Sequence, residues 1–128
     1  MTKTKTKTKT KTKTKTKLSV QENRSELDRP DEVFELAAEL FRVLSAPVRL
    51  KIISCLCDGE KNVSYLLSKI DTTQPNMSQH LNTLYQAGVL GKRRDGVQIH
   101  YRIIDARIPA LCRAVCTKIE TEGNFKNA

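Results

Sequence analysis

From residue 31 the chain places apolar residues three and four positions apart, the period of helices with one buried face. Val33, Phe34, Leu36, Ala37, Leu40, Phe41 and Leu44 define a first helix, and Asp31 and Glu32 suit the positive end of its dipole. SAPVRLKIISCLCDGE predicts a second: Pro47 fits its first turn, Val48, Ile52, Ile53 and Leu56 face inward, and Asp58-Gly59 stop it. In NVSYLLSKI, Asn62 can cap a short third helix with Val63, Leu66, Leu67 and Ile70 inward. Pro75 opens a fourth, in which Met77, Leu81, Leu84 and Tyr85 share one side and Gly88 ends the helix. Two short helices joined by a tight turn make a helix-turn-helix.

Beyond it, VLGKRRDGVQIHYRII reads as two extended runs around Asp95-Gly96, a dipeptide that favours a type I′ hairpin turn. Arg93, Arg94, His100 and Arg102 bring positive charge near its tip. A last helix runs from about Ala106 to Glu122, since Ile108, Leu111, Val115 and Ile119 recur at heptad-like spacing; Asp105 can cap it, and Pro109 is tolerated in its first turn. That stripe would be exposed in a monomer, which predicts a homodimer. The expected class is mainly α with a small β-hairpin. The expected domain is 31–122, between a basic disordered tail and linker at 1–30 and a disordered end at 123–128.

Charge changes the picture less than its total suggests. Of the formal net +9 over 128 residues, +8 comes from eight Thr-Lys repeats at residues 2–17. Such a tract is self-repelling and is expected to be disordered. It is either a repeat without a specific task or a polycation that adds salt-dependent affinity for phosphate. The rest is dipolar: residues 22–39 hold seven acids against Arg24 and Arg29, whereas residues 42–113 hold eleven bases against five acids. No run approaches the ~18 apolar residues of a membrane span, and no apolar stretch follows the basic N-terminus as a secretory signal would require. A soluble cytoplasmic protein without a membrane partner is expected. Four cysteines in that setting point to free thiols, metal ligands or redox sensing rather than structural bridges.

The segment TTQPNMSQHLNTLYQAGVLG, residues 72–91, has no formal charge although 29% of the chain is charged. Thr73 precedes the fourth helix, and the face opposite its apolar stripe begins Gln74, Asn76, Ser78, Gln79 and His80. Amides and hydroxyls match the paired donors and acceptors of base edges in the major groove, whereas an acid there would meet phosphate repulsion. The plainer alternative is a solvated face, but such faces usually carry Lys and Glu. His80 taken alone suits packing or phosphate contact rather than a metal.

LSAPVRLKII, TTQPNMSQHLNTLYQAGVL and DGVQIHYRI together resemble the winged helix-turn-helix of the ArsR/SmtB family of bacterial repressors, over about residues 32–120. The resemblance implies five helices and a wing, a homodimer formed through the first and last helices, binding of double-stranded DNA at a roughly palindromic operator, and release by an inducer. It also implies a location at the bacterial nucleoid. Members that sense arsenite or cadmium carry two cysteines at the start of the third helix; Asn62 and Ser64 stand there in this chain. Of the ligands of zinc-sensing members only Asp105 survives, with Arg107, Lys118 and Thr121 in the other places, so a tetrahedral zinc site is not available.

The cysteines lie elsewhere, Cys55 and Cys57 at the end of the second helix and Cys112 and Cys116 in the last. Cysteines in those two helices resemble the thiol-switch branch of the family, which responds to sulfide, persulfide or oxidants. Lys51, one turn before Cys55, would favour its thiolate. Cys112 and Cys116, spaced i, i+4, are alternatively small core residues, or join Cys55 as three thiolates around a soft metal or metalloid ion such as arsenite. No other cofactor is expected. An enzyme with a cysteine nucleophile would need a base beside the thiol, and His80 and His100 are better explained by DNA. A non-specific architectural protein driven by the lysine tail predicts binding that survives shuffling of the target sequence.

Overall fold

The computed structural model describes residues 25–123, so the expectations for the Thr-Lys tail and the last residues lie outside the described part. A 3-10 turn at Glu26–Asp28 falls within the stretch read as linker. Five α-helices follow, α1 Asp31–Leu44, α2 Pro47–Leu56, α3 Val63–Lys69, α4 Gln74–Gln86 and α5 Arg107–Glu122. The strands are β1 Lys61–Asn62, β2 Leu90–Asp95 and β3 Gln98–Ile103, arranged in one antiparallel sheet in the order β1-β3-β2. By backbone contacts the chain divides within α1, after Ala37, into two units. The core belongs to the second.

In that unit α2 is central, touching α3, α4, α5 and β3. Its Ile52, Ile53 and Leu56 are buried with Leu66 and Ile70 from the α3 segment, Met77, Leu81 and Leu84 of α4, and Ile108 of α5. Each came from the helical periodicity. Asn62 caps α3 as expected, its side chain accepting from the Tyr65 amide at 2.8 Å. Asp105, expected to cap α5, lies one residue before the N-cap Ala106 and accepts from the Arg107 amide at 3.1 Å. The end of α4 forms a Schellman motif: Gly88, at φ +80°, donates to the Tyr85 carbonyl, and Val89 donates to that of Leu84.

Three details depart from expectation. Asp95 pairs with Gln98, so Gly96 and Val97 form the two-residue loop of the hairpin. Gly96 has φ +69° and no non-glycine residue among the described residues has positive φ, which excludes a type I′ turn and fits a type II′ turn with glycine first. Tyr85, expected inward, is exposed, and the Lys92 ammonium lies 4.3 Å from its ring centroid. The hairpin also gains a third strand, because Lys61 pairs with Tyr101 and Asn62 with His100.

Candidate nucleic-acid interface and thiol sites

The underside of α4 fixes what its other face can do. Met77, Leu81 and Leu84 are fully buried, while Gln74, Asn76, Ser78 and Gln79 are exposed. Thr73 serves as the N-cap, its hydroxyl accepting from the Asn76 amide at 3.2 Å. A rigidly seated helix therefore offers amides and a hydroxyl from its first turns.

His80 has a more specific environment. Half-buried, it lies with Nδ1 2.9 Å from Nη1 of Arg49. Burial, and then the charge of Arg49, hold the imidazole below its ordinary pKa. Arg49 also donates from Nε to the carbonyl of Val43 in the last turn of α1. The sequence did not single out Arg49, since its partner is 31 positions away.

The four basic residues expected near the wing tip divide. Arg93 grips Glu60, with Nε 3.1 and 3.0 Å from the two carboxylate oxygens and Nη2 2.9 Å from Oε1. That pairing holds the Glu60 carboxyl below the usual carboxylate range, with His100 and Arg102 adding smaller pulls, and raises Arg93. Arg93 is thus a tie between the wing and the segment before β1. Arg94 is exposed at the tip, 3.4 Å from the Gly96 carbonyl, Arg102 is exposed, and His100 is half-buried opposite Arg93. Glu60 gave no signal in the sequence, because an ion pair spanning 33 positions has no local pattern.

All four cysteines are free, Cys55 and Cys112 half-buried and Cys57 and Cys116 exposed. Burial pushes the Cys55 thiol up, partly opposed by Lys61 and Lys69. Lys51 is exposed and is not among the groups acting on it. Burial also raises Cys112, and charge on Cys116 or Cys57 would raise it further. Cys57 is the C-cap of α2, and Cys55 and Cys112 both pack against the hydrophobic core. Cys112 and Cys116 line an apolar cleft of about 210 Å³ together with Phe41, Leu44, Leu111 and Val115. Among the described residues no three Cys, His, Asp or Glu side chains are grouped to hold a metal, so the trio Cys55, Cys112 and Cys116 is not assembled within one chain.

A family model described as "Bacterial regulatory protein, arsR family" matches residues 46–92, from the N-cap of α2 into β2. The biofilm growth-associated repressor of Xylella fastidiosa is 39% identical over 80 residues, covering 62% of this chain and 70% of that protein. The chain belongs to the arsR family of bacterial regulatory proteins. Among its arsR relatives, the HTH-type transcriptional repressor SmtB of Mycobacterium tuberculosis is 40% identical over 76 residues, 59% of this chain and 56% of that protein. The chain thus spans little more than half the length of that relative. The crystal structure of the transcriptional repressor BigR from Xylella fastidiosa has a TM-score of 0.63 at 36% identity, covering 68% of this chain and 89% of that one. The arsR fold, a winged helix-turn-helix of transcriptional regulators rather than of enzymes, accounts for the order of elements described above. No helix among the described residues is long and apolar enough to cross a membrane.

Proposed function

We propose that this arsR-family chain is a repressor that binds a palindromic operator as a homodimer, with α4 in the major groove and the wing on the flanking phosphates, and that a thiol-directed signal releases it. The observation that carries the DNA reading is the exposed, uncharged face of Gln74, Asn76, Ser78 and Gln79 on a helix anchored by the fully buried Met77, Leu81 and Leu84. Arg94 and Arg102 supply the phosphate contacts, while Arg93 holds the wing through Glu60. The homodimer reading rests on the open apolar side chains Phe41, Val115 and Ile119, 56, 49 and 52% exposed. Two-fold symmetry then sets two reading helices about one DNA turn apart.

For the signal, exposure makes Cys57 the thiol of α2 that a reagent meets first, and Cys112, on α5, which α2 contacts, is its partner in this reading in place of the half-buried Cys55. A peroxide takes two electrons and two protons from Cys57 and Cys112 and leaves as water, and the sulfurs join. A persulfide instead hands its outer sulfur to one thiol, and attack by the second expels hydrosulfide as the disulfide forms. Joining the end of α2 to α5 would shift the helix on which α4 is seated.

The test is titration of the dimer against a palindrome selected from random duplexes and against the same palindrome shuffled. Gln79→Ala should weaken the selected site by about 1 to 3 kcal/mol and leave the shuffled duplex nearly unchanged. Equal losses on both would reject base reading by α4. Mass spectrometry after separate exposure to persulfide, peroxide and arsenite then reads the signal: a Cys57–Cys112 bridge is expected with the first two, and release persisting in Cys57→Ser would remove that pair. Adducts with arsenite alone would favour a soft-ion signal.

A further inference from the structure

Arginine has donors and no acceptor, so the His80 Nδ1 at 2.9 Å from Arg49 Nη1 must carry a lone pair. The ring is then neutral, and Nε2–H is its one donor. The same guanidinium takes the Val43 carbonyl, one of the last four of α1, which lack a partner within the helix. Arg49 is itself half-buried, so both bonds are partly shielded from water. A single side chain on α2 thus ties the end of α1 to the middle of α4 and at the same time chooses the tautomer of a histidine beside the exposed amide Gln79.

We propose that Arg49 is a positioning residue for sequence reading: it fixes His80 as a neutral Nε2–H donor on α4 and sets that helix relative to the last turn of α1. This rests on the reading of α4 as the DNA-contacting helix. A charged imidazole would attract any phosphate, whereas a neutral one with a single fixed donor discriminates by geometry. Arg49 therefore acts on the ratio of specific to non-specific affinity rather than on affinity in general.

Nitrogen-15 spectra of the free, full-length protein test the tautomer without any DNA. Near neutral pH, Nδ1 of His80 should show the shift of an unprotonated acceptor in the native chain and move toward the tautomer-averaged value in Arg49→Met. A protonated Nδ1 in the native chain overturns the proposal. In the binding assay, Arg49→Met should lower affinity for the selected palindrome about tenfold and affinity for shuffled DNA by much less. His80→Leu should do the same, and the double variant should lose no more than either single one, because both changes remove one linked unit. Additive losses, or an unchanged specificity ratio in Arg49→Met, overturn it. Should the methionine variant not fold, Arg49→Lys, which keeps the charge but not the two-pronged reach, takes its place in the cycle with the same expectations. A native chain that does not distinguish palindrome from shuffled duplex defeats the reading of α4 itself, and the spectra report separately on the Arg49–His80 contact.

Discussion

Helices α4 and α5 carry apolar residues at similar spacing, yet their surroundings differ. In α4, Met77, Leu81 and Leu84 have no exposed surface; in α5 only Ile108 is buried, while Val115 and Ile119 are about half exposed. The first stripe is closed by α2 and β2 of the same chain. The second runs past the end of the core. A pattern of this kind tells where a helix will be greasy, and the length of the surrounding fold decides whether its own chain covers it. Under the homodimer reading, α4 stability and α5 association are separable properties, and substitutions should part them.

The largest effect is expected from Leu81→Ala. It removes a fully buried side chain beneath the reading face, and the lost burial plus the cavity should cost about 2 to 5 kcal/mol. Urea unfolding measures this, and a loss below about 1 kcal/mol would mean that α4 is not seated as described. Val115→Asp should leave the urea midpoint of the dissociated chain nearly unchanged and raise the dimer dissociation constant at least about tenfold. Sedimentation over a range of concentrations reads it, and an unaltered dimer would move the contact away from α5. Gly88→Ala is smaller: the left-handed φ of +80° at the end of α4 costs an alanine roughly 1 to 2 kcal/mol. Since nothing lies within 4 Å of an added Cβ there, the loss should come from backbone strain without a clash.

How far the sequence could be read follows the same division between local and distant causes. All five helices, the cap at Asn62 and the buried stripe of α4 were visible because each depends on residues within a turn or two. Strand β1 was not, since two residues make no pattern and its pairing with Tyr101 and His100 is long-range. Asp95-Gly96 signalled a hairpin, but the register placed the loop one residue later, at Gly96 and Val97. The uncharged face of α4 was legible as composition. The Arg93–Glu60 and Arg49–His80 contacts were not, because residues over thirty positions apart meet only after folding. The thiols fall between these cases: their helices were correctly located, but the half-burial of Cys55 and Cys112 and the exposure of Cys57 and Cys116 depend on how α2 and α5 pack.

The smallest expected effect concerns protonation within α4, and acid should reveal it. An unfolded histidine titrates near pH 6.5, and folding lowers the value for His80 through burial and the nearby Arg49. Above about pH 6.5 both states hold the ring neutral and the contact contributes in full. As the pH falls below that, the unfolded chain takes up a proton first, so stability declines until the lower folded value is passed and then levels off. His80→Gln keeps an acceptor for Arg49 without a group that titrates in this range. The urea midpoint of the native chain should therefore fall relative to that variant between pH 7 and the lower folded value, by less than any of the changes above. A native chain and variant that track one another across this window would mean that His80 is not held neutral by Arg49, and the link between α1 and the reading helix would have to be carried by other groups.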